Sequence, residues 1–180
     1  ATAQGPEPSA AAVIVTGDPR SDGEGPGIVG SPALIAVGVV VLGLITRSPK
    51  LAVIQSEGCS PMVRAFKAGR DVAEPVIPDT RIIILSTGDP GKSYTYLWHL
   101  AQKFGGTMES VTDAEAFKAM VSLAKSEGMA VEPATAVAFA GFEKLVKNGT
   151  IRPDETVVVN CTGHTFPVEK HVLGDQFALD

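Results

Sequence analysis

The chain has 180 residues, of which 44% are hydrophobic and 19% charged, so it can bury a real core and is not a disordered tail. Its formal net charge of −5 argues against a nucleic-acid partner, which requires a basic stripe, and against an anionic membrane surface. Cys59 and Cys161 stand far apart without metal-ligand spacing and read as reduced cysteines of a cytoplasmic protein.

Residues 1–12 are expected to form a flexible N-terminal segment, and 13–180 one domain. The first eleven residues are small and Pro-rich and carry no basic n-region, so they do not read as a signal peptide. The chain does not begin with Met, which suggests a processed, truncated or incompletely recorded one. Val13-Ile14-Val15 is a short β-branched run that stops at Thr16-Gly17-Asp18-Pro19, and the stretch up to Gly30 reads as a loop. Ala33 to Ile45 is continuously apolar but well short of the roughly 20 residues that a membrane-spanning helix needs. It is expected to be a buried element of an α/β core and helical, although Val37, Val39, Val40 and Val41 favour a strand by propensity.

Leu51 to Gln55 is the next predicted strand, entered through a turn at Ser48-Pro49-Lys50. Pro61 to Ala68 should be a helix opened by Ser60 as N-cap, with proline in the first turn. Arg70 to Asp79 reads as a loop and Arg81 to Leu85 as a short hydrophobic strand, broken at Thr87-Gly88-Asp89-Pro90-Gly91. Ser93 to Phe104 has helical period, with Tyr94, Leu97, Trp98 and Ala101 on one face, and Gly105-Gly106 stops it. Thr112-Asp113-Ala114-Glu115 is a capping box, opening a helix that reaches about Ser126 and ends at Gly128. A further helix runs from about Pro133 to Lys147 and ends at Asn148-Gly149. Thr156 to Asn160 lacks alternation, as expected of a strand covered on both faces. Strands alternate with helices throughout, which predicts the α/β class: a mostly parallel sheet with helices on both faces.

Three stretches carry the pattern of a binding site. Gly88-Asp89-Pro90-Gly91-Lys92-Ser93 invites a phosphate-loop reading, but the spacing rejects it: the position that should hold the first glycine is Ser86. A plain strand-to-helix turn is the better reading. Gly23-Glu24-Gly25-Pro26-Gly27 follows the first strand, and its glycines would let backbone N–H groups converge on an anion. Val157-Val158-Val159 ends in Asn160-Cys161-Thr162-Gly163-His164, small polar residues at the carboxyl end of a strand, where α/β sheets bind ligands. His164 by itself reads as an ordinary loop histidine.

The order of several stretches together resembles a known family. These are Gly43-Leu44-Ile45 followed by Pro49 to Gly58, Pro61-Met62-Val63-Arg64-Ala65-Phe66, Gly88-Asp89-Pro90, Gly105-Gly106-Thr107, Val111 to Glu115, Glu127-Gly128, Val131-Glu132-Pro133-Ala134-Thr135-Ala136 and Gly141. Glu-Pro-Ala-Thr-Ala followed by a strand ending in Thr-Gly-His resembles the type II pyridoxal-phosphate-dependent enzymes, and among them the threonine synthases most. The resemblance covers roughly residues 40 to 172, with a looser match back to Val13.

The resemblance implies a cofactor held between two α/β domains, of which this chain supplies the larger, C-terminal one. Gly23, Gly25 and Gly27 would cradle the cofactor phosphate. Thr162, with Gly163 beside it, would meet the pyridine nitrogen. The implied reaction turns O-phosphohomoserine and water into threonine and phosphate, with a small-molecule amino-acid substrate and a cytoplasmic homodimer. That chemistry needs a Schiff-base lysine, which the family places upstream of the glycine loop. No lysine precedes Lys50 here, so no catalytic residue is expected within this chain, and the isolated chain is expected to be inactive. A related dehydratase or synthase and a non-catalytic α/β binding module of the same fold remain open alternatives.

Overall fold

A computed structural model describes residues 10–15, 49–163 and 165. The strands β1 (Ala10–Val15), β2 (Lys50–Ser56), β3 (Gly106–Val111) and β4 (Thr156–Val159) form one sheet. All neighbours are parallel and the spatial order is β3-β2-β1-β4. β1 begins three residues before the β-branched run that signalled it. Val53 of β2 lies between Ile14 and Met108, and Val13 of β1 lies between Ala52 and Val159.

Among the described residues four helices cover this sheet: α1 (Pro61–Lys67), α2 (Gly91–Phe104), α3 (Asp113–Ser126) and α4 (Pro133–Lys147). Successive side chains of a strand point to opposite faces, and β2 uses both. Leu51 and Val53 pack with Met62, Val63, Tyr94 and Leu97 from α1 and α2. Ala52 and Ile54 pack with Ala116, Ala119, Val137 and Ala138 from α3 and α4. The expected class therefore holds: a parallel sheet with helices on both faces. A Cβ on Gly141 would stand 2.5 Å from Cγ1 of Ile54, so this glycine is what lets α4 lie directly on β2.

Helix ends follow local chemistry. The capping box of α3 is formed in full: Glu115 N–H donates to Thr112 Oγ1 at 3.2 Å and Thr112 N–H donates to Glu115 Oε2 at 2.7 Å. α2 stops at Gly105, whose φ of +76° suits a residue without Cβ. Tyr94, Leu97 and Ala101 of α2 are buried as their spacing predicts, while Trp98 is half-buried and meets Phe66 edge-on at 5.5 Å. Among the described residues no helix is long and apolar enough to cross a membrane.

Three local expectations are corrected. Residues 81–85 are not a strand: Ile83–Leu85 is a 3-10 turn. Ile82 and Leu85 are 3% and 6% exposed, whereas Ile83 and Ile84 are 82% and 61% exposed, an i, i+3 anchoring that suits one helical turn. Ser60 does not cap α1 with its side chain; its hydroxyl donates to the Glu57 carbonyl at 3.0 Å. The free N–H groups of Met62 and Val63 instead donate to Oε1 of Gln55, at 3.0 and 3.1 Å. β4 is not covered on both faces among the described residues, because Val157 and Val159 face α4 while Val158 is 62% exposed. The loop at 16–30 and the apolar run at 33–45 lie outside the described residues.

Candidate functional site

Parallel sheets bind ligands beyond the carboxyl ends of their strands, where the strand order reverses. From β1 the chain steps outward to β2 and β3, then returns to place β4 on the other side of β1. The reversal therefore falls between β1 and β4. β1 ends at Val15 and β4 at Val159, so the segments that leave both strands start from the same edge.

Beyond β4, Thr162 is exposed and Gly163 half-buried. The Oγ1 of Thr162 lies 3.2 Å from the Oγ1 of Thr135, a fully buried residue in the first turn of α4. Gly163 N–H donates to Thr135 Oγ1 at 3.0 Å, and the Thr135 hydroxyl donates to the Gly163 carbonyl at 3.0 Å. That carbonyl also accepts the Glu132 N–H at 3.3 Å. Pro133 at the helix start has no N–H to satisfy and a preset φ, and it brings Thr135 to the third helical position. A Cβ on Gly163 would stand 2.3 Å from Oε1 of Glu132, so a side chain there would have to displace that carboxylate.

A second cluster sits at the carboxyl ends of β2 and β3. The hydroxyls of Ser56 and Thr80 donate to Asp113 Oδ1 at 2.9 and 2.6 Å, and Arg81 N–H donates to Oδ2 at 2.6 Å. Burial works to raise the Asp113 carboxyl, but these three donors and the Arg81 charge outweigh it and hold it below the ordinary carboxylate value. The segment carrying Thr80 is fastened at two further points, with Asp79 N–H on the Gly58 carbonyl and Val76 N–H on the Gly88 carbonyl, both at 2.9 Å. A Cβ on Gly58 would fall 1.7 Å from the Asp79 carbonyl oxygen, and one on Gly88 would fall 2.0 Å from that of Val76. These close approaches give a physical reason for glycine in Ser56-Glu57-Gly58 and Gly88-Asp89-Pro90. The Asp89 carboxylate accepts Gly91 N–H at 2.9 Å, so the start of α2 is occupied by the chain's own acid.

The structure thus unites Thr162 with Gly163, while Gly23, Gly25, Gly27 and His164 lie outside the described residues. Thr135 and Asp113 carry the two clusters, yet sequence reasoning gave neither a role. The available signal was a hydroxyl in the first helical turn of a segment that the family pattern already marks. Several lysines end in ion pairs: Lys50 with Glu155 at 3.1 Å, Lys67 and Lys144 with Glu109 at 2.8 and 3.6 Å, and Lys147 with Glu143 at 3.2 Å. Cys59 and Cys161 are free thiols, and burial pushes the Cys59 thiol up against a smaller opposing pull from Arg64.

Residues 28–163 match the family described as pyridoxal-phosphate dependent enzyme. The chain is 42% identical over 125 residues to the threonine synthase of Methanosarcina acetivorans, a match covering 69% of this chain and 31% of that one. It is 31% identical over 127 residues to the cysteate synthase of Methanospirillum hungatei, covering 66% of this chain and 30% of that one. The chain thus spans under a third of the length of these relatives. Its fold is similar to that of maize serine racemase, with a TM-score of 0.63, 15% identity, and coverage of 93% of this chain and 47% of that chain.

The β1/β4 edge fits the ring end of pyridoxal phosphate. A pyridine nitrogen needs one hydrogen-bonding group facing it, and Thr162 supplies an exposed, neutral hydroxyl. Its described hydrogen bond is to the hydroxyl of Thr135, which is buried behind it.

Proposed function

The chain belongs to the pyridoxal-phosphate dependent enzyme family, and from that premise we propose that it is the ring-binding part of a threonine-synthase-type lyase. The reaction in this reading converts O-phosphohomoserine and water into threonine and phosphate. One observation carries it: the Thr162 hydroxyl stands at the point where the strand order reverses, held by the buried Thr135 of the Glu-Pro-Ala-Thr stretch. The identity of 42% to a threonine synthase supports the choice of reaction.

In this reading Thr162 binds the cofactor's ring nitrogen, and Gly163 lets the loop close against Glu132. Gly23, Gly25 and Gly27 cradle the phosphate, in the segment that the chain enters from the end of β1. When bound, pyridoxal phosphate supplies an electron sink for negative charge that develops on the substrate. A neutral hydroxyl at the ring nitrogen tunes that sink differently from a carboxylate, because it imposes no negative charge on the ring. In this reading the Schiff-base lysine belongs to the part of the relatives' length that this chain does not span, the match covering 31% of the threonine synthase. Assembly as a cytoplasmic homodimer belongs to the same reading.

The 31% identity to a cysteate synthase favours a second reading, a synthase of the same family that makes a different amino acid. The test is turnover by the full-length protein loaded with the cofactor. Release of inorganic phosphate from O-phosphohomoserine with equimolar threonine is expected. Formation of cysteate from a three-carbon amino acid with a β-phosphate leaving group and sulfite, with phosphate released and O-phosphohomoserine left unchanged, would transfer the assignment to the second reading. Tight cofactor binding with no turnover of either kind would make the protein a binding module.

A further inference from the structure

We propose that Thr135 is a positioning residue that fixes the orientation of the Thr162 hydroxyl; this rests on the reading that Thr162 faces the cofactor's ring nitrogen. Thr135 donates its one hydroxyl proton to the Gly163 carbonyl at 3.0 Å, and its Oγ1 lies 3.2 Å from Thr162 Oγ1. The carbonyl already accepts the Glu132 N–H at 3.3 Å. Gly163 N–H depends on Thr135 Oγ1, at 3.0 Å, for its described hydrogen bond.

Thr135 Oγ1 gives its proton to the Gly163 carbonyl, accepts the Gly163 N–H, and has a lone pair left to take the Thr162 hydroxyl. A carbonyl has two lone pairs, so that of Gly163 takes Thr135 and Glu132 N–H together. Thr162 is therefore held in one orientation by a buried hydroxyl that is itself fixed at two backbone groups. Thr135 is fully buried, so water does not replace its hydroxyl if it is removed. Without it, Gly163 N–H loses this partner and the Thr162 side chain is released to its other rotamers.

The test uses the full-length protein, pyridoxal phosphate labelled with nitrogen-15 in the ring, and the variants Thr135→Val, Thr135→Ser and Thr162→Val. Thr135→Val keeps the volume and removes the hydroxyl; it should move the ring nitrogen resonance in the same direction as Thr162→Val. Loss of a buried neutral hydrogen bond should also weaken cofactor binding on the order of tenfold, with Thr135→Ser restoring it to within about twofold. Because the two hydroxyls act as one unit, the double variant Thr135→Val/Thr162→Val should bind no more weakly than Thr162→Val alone. If Thr162→Val moves the resonance and Thr135→Val leaves it at the wild-type position, the role of Thr135 is overturned and the placement of the cofactor stands. If neither variant moves it, the cofactor does not face Thr162, and both fall. Should Thr135→Val fail to fold, Thr135→Ala makes the same comparison. Failure of both with a soluble Thr135→Ser would assign the hydroxyl to folding rather than to the ligand.

Discussion

Two clusters of small hydroxyl side chains stand on the same carboxyl edge of the sheet and differ in how they are closed. At β2 and β3, Ser56 and Thr80 both turn to the carboxylate of Asp113, which also takes the Arg81 N–H. Both carboxylate oxygens are engaged, and the result is a clamp on the segment between α1 and α2. At β1 and β4, Thr135 and Thr162 meet each other and the backbone of Gly163, and Thr162 remains exposed. One cluster uses a charge to gather donors inward and fix the chain. The other stays neutral and keeps a hydroxyl for something outside. Charge-assisted hydrogen bonds are the stronger kind, so the clamp should dominate stability and the neutral pair should dominate ligand binding.

The largest expected effect comes from filling space in the clamp. In Gly58→Ala the new Cβ would fall 1.7 Å from the carbonyl oxygen of Asp79, a backbone atom whose own N–H is bonded to the Gly58 carbonyl at 2.9 Å. The segment must lift away, and a cost of about 3 kcal/mol is expected, the upper part of the usual range for overpacking. Denaturant unfolding of the full-length variant measures it, and limited proteolysis should find new cleavage between residues 70 and 90. Wild-type stability and protease resistance would show that the segment is not held at this point.

The charge itself is tested by Asp113→Asn, which keeps the shape but sets an amide against donors. A loss of about 2 kcal/mol is expected at pH 7, because hydrogen bonds to a charged group are worth more than neutral ones and this site is only half-buried. The folded carboxyl lies below its ordinary value, with burial opposed and outweighed by the hydrogen bonds from Thr80, Arg81 and Ser56. Its stabilisation is therefore complete above the unfolded value of about 3.9 and is lost as pH falls through the lower folded value. The gap between wild type and Asp113→Asn should stay constant from neutral pH to about 5 and close in the acid range. Thr162→Val should change stability by less than about 0.5 kcal/mol at any of these pH values, since the residue is exposed and its described hydrogen-bond partner is a hydroxyl. A pH-independent gap for Asp113→Asn would remove the charge from the account of the clamp.

Sequence proved most informative where the partners are neighbours. The capping box of α3 joins residues three apart, and it can be read from four letters. The cap of α1 cannot, because its acceptor is the side chain of Gln55 in β2, reaching Met62 and Val63 after the chain has turned. Residues 81–85 mislead for a different reason: five apolar or long residues suit a strand by composition, and only the burial of Ile82 and Leu85 separates an i, i+3 turn from it. At the site, the strand ending in Thr162-Gly163 is visible from its β-branched run and its position. Thr135 is not, since its partner Thr162 is 27 residues downstream and a threonine in a helix suggests no role alone. Asp113 is hidden in the same way, with its donors Thr80 and Ser56 lying 33 and 57 residues upstream.

The smallest expected effect makes the contrast between the two ends of the edge sharpest, because the substitution is the same. In Gly163→Ala the new Cβ would fall 2.3 Å from Oε1 and 2.5 Å from Cδ of Glu132. Those atoms are the far end of a flexible side chain, which can swing aside where the Asp79 carbonyl cannot. The backbone bonds of Gly163 to Thr135 and Glu132 use main-chain atoms and survive the change. The cost should therefore stay below about 1 kcal/mol, a fraction of that for Gly58→Ala. What remains of it should disappear in the double variant Gly163→Ala/Glu132→Ala, compared with Glu132→Ala alone, because the obstructing carboxylate is then gone. Paired denaturation curves of the four proteins in this cycle give the coupling directly. Additive effects, or a Gly163→Ala cost equal to that of Gly58→Ala, would mean that the loop after β4 is pinned as rigidly as the clamp. The division between a fixed and an adaptable end of the edge would then be wrong.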